Sequence, residues 1–215
     1  DAAGGAAAHC MPAMCMRFGP GWGWLRERVR GGDLGAPLSL TLRRLAARPG
    51  WGSDFYADVS RSGGALVDLH IHDADFVRWC FGEPRAVLST GSEERVASLY
   101  RYGDHPQYVL AEGTWDPPPG LPFFMGYRAV FESAVAEYTL GREPLLLLAL
   151  AGGVEAVPLS TLSGYDLEVR HMLDLVAGAA AEPVATMDDA VRTARLLELQ
   201  RASLVSGDWQ RVDAG

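Results

Sequence analysis

From Pro37 the chain alternates in period two, with Leu38, Leu40 and Leu42 set against Ser39, Thr41 and Arg43, the pattern of a half-buried strand. Beyond Gly82 a series of strand-length segments follows: Arg85–Thr90, Val96–Tyr102, Tyr108–Trp115, Gly126–Phe131, Val135–Leu140, Leu145–Leu150 and Val154–Leu159. Turn signals divide them, among them Gly152-Gly153 and the loop Pro117-Pro118-Pro119. No helix-length connection lies between them, so neighbours must pair antiparallel; parallel neighbours need long crossovers. Helical patterning predicts a short helix over Trp22–Arg30, with Arg28 and Arg30 at its negative end and Gly31-Gly32 as its stop. Two more helices close the chain: Gly164–Ala180, and Met187–Ser206 capped by Thr186 with Asp188 and Asp189 in its first turn. The fold class that results is α+β, an open, mainly antiparallel β-sheet with helices on one face. The other face of such a sheet needs cover, which predicts a homodimer through it.

The most informative stretch is Ser62–Cys80, S-G-G-A-L-V-D-L-H-I-H-D-A-D-F-V-R-W-C. After two glycines it sets Asp68, His72 and Asp75 at spacings of four and three, one stripe of a helix that Trp79 extends. Leu66, Leu69, Ile71, Phe76, Val77 and Cys80 supply an apolar face for a core. An imidazole titrates near neutrality, and a carboxylate one turn before it can fix its tautomer, so Asp68 and His72 form a candidate proton-transfer pair. The same spacing also describes the wet side of an ordinary amphipathic helix. Just ahead, Asp54, Phe55, Tyr56 and Asp58 lie in a loop leading to the glycines, where binding groups are often carried.

Composition narrows the classes. A chain of 215 residues with 48% hydrophobic and 21% charged residues can bury a proper core. A net charge of −8 argues against nucleic acid, whose phosphates require a basic face. No apolar run reaches membrane-spanning length; the longest is Leu145–Ala151. Three cysteines, Cys10, Cys15 and Cys80, make no disulfide framework or paired metal spacing, and the chain reads as cytoplasmic. All 19 basic residues are arginine; there is no lysine.

The run G-G-A-L-V-D-L-H-I-H-D-A-D-F resembles the G-G-x-L-x-D-x-G-x-H-x-x-D signature of the Gfo/Idh/MocA oxidoreductases, the glucose–fructose oxidoreductase and inositol dehydrogenase superfamily. Gly63, Gly64, Leu66, Asp68, His72 and Asp75 match, and His70 stands where glycine is usual. The resemblance implies that His72 is the acid–base group at the sugar carbon that loses hydride, with Asp68 as its support. The earlier piece C-M-R-F-G-P-G-W-G-W-L is similar to the family's passage out of its dinucleotide-binding domain, which implies that Met16, Arg17 and Asp75 bind substrate. Without the resemblance, Arg17 reads equally well as part of a salt bridge. The resemblance further implies NAD or NADP as cofactor, a sugar or cyclitol-like polyol as substrate, and a homodimer through the open sheet face.

Parts of the family pattern are missing. Gly19, Gly21 and Gly23 lack the spacing of a phosphate-binding G-x-G-x-x-G turn, and the catalytic lysine of the family's E-K-P element has no counterpart. These points divide the chain into residues 1–20, a remnant of the end of a dinucleotide-binding domain that includes the apolar run Ala7–Met16 as its last strand, and residues 21–215, the substrate and dimerisation domain. The dinucleotide domain itself is expected to be absent from the chain. Two other readings stand beside this one. A sheet domain of this kind can bind a sugar or dimerise without turnover. The segment V-D-L-H-I-H-D is also similar to the first-strand motif of metal-dependent amidohydrolases, with His70 and His72 as paired ligands. The roughly 140 residues after it fall short of a barrel that typically takes about 250.

Overall fold

A computed structural model describes residues 10–116 and 121–212; the Pro117-Pro118-Pro119 loop and residues 1–9 of the expected N-terminal remnant lie outside them. The chain opens with a 3-10 turn, Cys15–Phe18, and helix α1, Pro20–Gly31. Strand β1, Pro37–Ala47, is followed by four helical pieces, α2 (Ser53–Ala57), α3 (Val59–Ser62), α4 (Gly64–Asp68) and α5 (Ile71–Phe81). Then come β2 (Ala86–Ser92), β3 (Arg95–Arg101), β4 (Tyr108–Asp116), β5 (Phe124–Phe131), β6 (Val135–Thr139), β7 (Leu146–Leu150) and β8 (Gly153–Ala156). Helices α6 (Gly164–Val176) and α7 (Met187–Ser206) precede a short β9 (Gln210–Arg211).

The strands form one sheet in the order β8-β7-β6-β5-β1-β4-β3-β2-β9. All adjacent pairs run antiparallel except β1 and β4, which pair in parallel from Ser39↔Tyr108 to Ala47↔Asp116. The exception obeys the rule that shaped the expectation, because the segment between those two strands carries four helices and a hairpin, ample for a crossover. The described part of the expected N-terminal strand, from Cys10 onward, is coil leading into the 3-10 turn, with Pro12 offering no ladder donor. Segment 53–57, read as loop, is the helix α2.

Alternation decides which face is covered. Leu40 and Leu42 of β1, Val109 and Ala111 of β4, and Val96 and Tyr100 of β3 point to the helices and are buried. Against them lie Phe76 and Val77 of α5, Trp22 and Leu25 of α1, and Leu196 and Leu197 of α7. The valine, leucine and phenylalanine side chains among them each contribute about 1.5–3 kcal/mol of burial. The Trp22 ring meets Phe76 edge-on at 4.8 Å and Tyr127 at 5.2 Å, tying α1 to α5 and to the sheet. On the opposite face the cross-strand row Leu88, Leu99, Leu110, Thr41, Arg128, Glu137 and Leu147 runs over the bare sheet, and Leu99 and Tyr108 are exposed there. No helix among the described residues is long and apolar enough to cross a membrane.

Candidate active site

The glycine pair comes first in building the site. Gly63 and Gly64 both hold left-handed backbone, φ 72° and 65°, which side-chain-bearing residues rarely adopt. A Cβ on Gly64 would stand 2.5 Å from the carbonyl oxygen of Glu93, and that oxygen accepts the Leu66 N–H at 2.8 Å. The pair thereby seats α4 on the β2–β3 turn. Helix α4 does not run on as the expected single helix. Leu69 and His70 both donate to the Ala65 carbonyl, at 3.0 and 2.7 Å, and the five-residue reach of His70 widens the turn by one residue. Helix α5 starts in a new phase, and the expected stripe is split.

Asp68 and His72 both border a cavity of about 630 Å³. Its walls are Met16, Gly19 and Pro20 from the N-terminal turn and α1, Arg44, Met125 and Tyr138 from the sheet, Trp51 and Tyr56 from the helical connection, and residues 159–165 ahead of α6. This volume suits a small-molecule ligand. The Nδ1 of His72 is buried without a hydrogen-bond partner. No hydrogen bond joins His72 to Asp68, so the expected direct support is not made in this structure. Burial, and then the Arg44 cation, pushes the His72 imidazole below its ordinary value, while burial pushes the Asp68 carboxyl upward. The two pKa values are thus drawn toward each other in one cavity, and the lowered imidazole value favours the neutral ring, the form that can accept a proton.

Of the residues expected to bind substrate, Met16 lines the cavity and Arg17 and Asp75 do not. Arg17 Nε and Nη2 donate to the two Asp75 oxygens at 2.8 and 2.7 Å, with both side chains almost wholly buried. Arg17 Nη1 donates to the Val184 carbonyl at 2.8 Å and to Asp189 at 2.9 Å. Thr193 donates to Asp75 at 3.2 Å and accepts from Arg78 at 2.7 Å. The salt-bridge reading of Arg17 is the one the geometry matches: its donors are consumed in clamping the N-terminal turn to α5 and α7. Trp79, expected on the stripe, packs under the Arg26 guanidinium, 4.1 Å from the ring centroid.

His70 points away from the cavity. It is fully buried over Gly113, where an added Cβ would stand 3.0 Å from its Nδ1, and its Nε2 lies 3.2 Å from Ser98 Oγ and 3.3 Å from the Tyr100 hydroxyl. Burial depresses its pKa to about 4. His70 and His72 therefore cannot share a metal, and among the described residues no group of three or more His, Cys, Asp or Glu is placed to hold one. An open sheet in place of a barrel removes the rest of the hydrolase reading.

Two residues not foreseen matter here. Arg44 continues the inward alternation of Leu40 and Leu42 and is buried in the cavity floor. Its Nε and Nη2 donate to Asp73 at 3.0 and 2.8 Å. The strand period carried the signal for Arg44; nothing in the sequence marked Asp73, which sits between two residues of the stripe.

The glycines around the start of α1 lack the spacing of a phosphate-binding turn. Gly19 and Gly21 serve packing: a Cβ on Gly19 would stand 2.8 Å from the Trp22 ring and one on Gly21 2.6 Å from the Tyr138 ring, and the Gly21 carbonyl accepts the Tyr127 hydroxyl at 2.6 Å.

Residues 22–112 match the family model described as the GFO/IDH/MocA C-terminal domain. The chain is 29% identical over 208 residues to the myo-inositol dehydrogenase Hyg17 of Streptomyces leeuwenhoekii, covering 86% of this chain and 61% of that protein. It is 23% identical over 198 residues to the scyllo-inositol 2-dehydrogenase (NAD(+)) of Bacillus subtilis (strain 168), covering 83% and 56%. Levoglucosan dehydrogenase, in its complex with NADH and levoglucosan, superposes with a TM-score of 0.78 at 18% identity, covering 95% of this chain and 66% of that one. The chain spans about three fifths of the length of the curated relatives it matches.

Proposed function

We propose that the chain, of which residues 22–112 match the GFO/IDH/MocA C-terminal domain, forms the substrate side of a dehydrogenase that oxidises a carbinol of a sugar or cyclitol. The observation that carries this reading is the convergence of Asp68 and His72 on one cavity, with burial moving their pKa values in opposite directions. In this reading the substrate hydroxyl lies between the two side chains and links them. Neutral His72 takes the hydroxyl proton as the carbinol becomes a carbonyl, and Asp68 orients the hydroxyl. NAD or NADP would supply the hydride acceptor, held in this reading by a dinucleotide-binding domain. Residues 1–20 are read as the end of a dinucleotide-binding domain and 21–215 as the substrate and dimerisation domain, with two copies meeting across the bare sheet face.

The test joins a dinucleotide-binding domain from a relative upstream of this chain and assays inositols and simple sugars with NAD and NADP. Turnover is expected, and His72→Ala is expected to lower it by a factor of about 10²–10⁴. Turnover that survives His72→Ala with its pH dependence unchanged sinks the assignment.

A further inference from the structure

We propose that Arg44 is a substrate-binding residue: the third corner of its guanidinium, Nη1, donates from the cavity floor to an oxygen of the bound polyol. This rests on the polyol reading above and adds a group that the family resemblance does not assign. Two corners of the fork are spent on Asp73, which is itself fully buried on α5. Among the described residues the third meets only the Met125 sulfur, at 2.8 Å. A thioether is a weak acceptor, and a buried, charged N–H with a weak acceptor gains by exchanging it for an oxygen. Arg44 is already pinned by Asp73 and by the Trp22 ring 5.7 Å from its Cζ, so binding costs it little side-chain freedom.

The pairing also sets what the site takes. Arg44 and Asp73 cancel in charge, so the floor offers a directed donor and no net cation. A phosphate or carboxylate is held by unneutralised cations, whereas a hydroxyl or carbonyl oxygen needs only the donor. Arg44 and His72 border the same cavity, and the arginine charge disfavours a second positive charge on the imidazole. One ligand oxygen on Arg44 would thus hold the ring in place while a neighbouring hydroxyl meets His72.

The experiment is calorimetric titration of the 215-residue chain with myo-inositol, scyllo-inositol and glucose. Arg44→Lys keeps a cation for Asp73 and lacks the third planar corner. It is expected to weaken binding about ten- to a hundred-fold, the range for a hydrogen bond to a charged group, measured below a thermal midpoint that falls because the bidentate contact to Asp73 is lost. Met125→Leu removes the competing sulfur and is expected to tighten binding at least about twofold, the direction expected when a buried charged donor exchanges a weak partner for an oxygen. Unchanged affinity in Arg44→Lys overturns the inference and leaves the polyol reading standing. Should Arg44→Lys fail to fold, Met125→Leu decides: tighter binding supports the inference, equal or weaker binding overturns it. Binding of none of the three polyols to the wild-type chain overturns the polyol reading, and this inference with it.

Discussion

His70 and His72 lie two residues apart and face opposite ways, His72 bordering the cavity and His70 wholly buried against Ser98 and Tyr100. Two residues of helix turn the side chain by about 200°, and the opposite settings give the two imidazoles different consequences when pH falls.

For His72 the consequence is kinetic. The base must be neutral, and its pKa lies below the ordinary imidazole value of about 6.5. In the joined enzyme, the acid limb of the turnover–pH profile is expected below that value. An Arg44→Lys change that leaves the cation in place should move this limb little, and His72→Gln should abolish it.

For His70 the consequence is stability. Its folded pKa of about 4 lies beneath the unfolded value of 6.5, so the unfolded chain binds the proton first as pH falls. The contribution is constant above about pH 6.5 and is lost as pH falls from there toward 4, by about 3 kcal/mol in all at 1.36 kcal/mol per unit. Urea midpoints measured from pH 7 to pH 4.5 should fall accordingly, and more shallowly in His70→Gln.

Asp75→Asn removes the charge that partners Arg17 in a buried pair. Breaking such a pair from one side costs about 3–5 kcal/mol. Chemical denaturation should show that loss. Polyol affinity of the fraction that remains folded should stay close to wild type, because neither Arg17 nor Asp75 borders the cavity. A variant of undiminished stability with weakened polyol binding would restore the substrate-binding reading of the pair.

Gly64→Ala forces a side chain into left-handed backbone and against the Glu93 carbonyl. A loss of about 1–3 kcal/mol is expected, read as a lowered denaturant midpoint. The same change at exposed Gly152 should be nearly silent.

The bare sheet face is expected to hold two copies together. Leu99→Arg with Leu110→Arg sets like charges directly opposite each other across the β3–β4 pair, in the middle of that face. Light scattering should report a dimer for the wild type and a monomer for the double variant. A wild-type monomer at high concentration counts against the interface.

Most of the fold was legible because its signals are local. The strand series beyond Gly82 and the Thr186 cap of α7 appear where periodicity and cap chemistry put them, and Asp189 completes a capping box there. The parallel β1–β4 pair was not, since strand order depends on which distant segments meet. In the candidate site, Asp68, His72 and Met16 border the cavity. Asp75 does not, because its carboxylate is held by Arg17 and Thr193 where α5 meets the N-terminal turn and α7, partners that no spacing rule connects to it. Arg44 shows the reverse case: period two placed it inward, but an inward arginine takes its meaning from Asp73, which no spacing rule connects to it.

Strand β1 has both of its hydrogen-bonding partners far away in sequence. Its register joins Ser39 to Tyr108 on one side and to Val130 on the other, whereas β2–β3, β5–β6, β6–β7 and β7–β8 are all local hairpins. Two separate sets of hairpins can therefore form early, each closing only short loops. Insertion of β1 must close loops of dozens of residues before it gains any contact, so it belongs late in folding. Since β1 carries Arg44, the cavity floor is laid only when the two halves are stitched together, and amide protection at Leu40 and Leu42 should rise in step with the first competence to bind ligand.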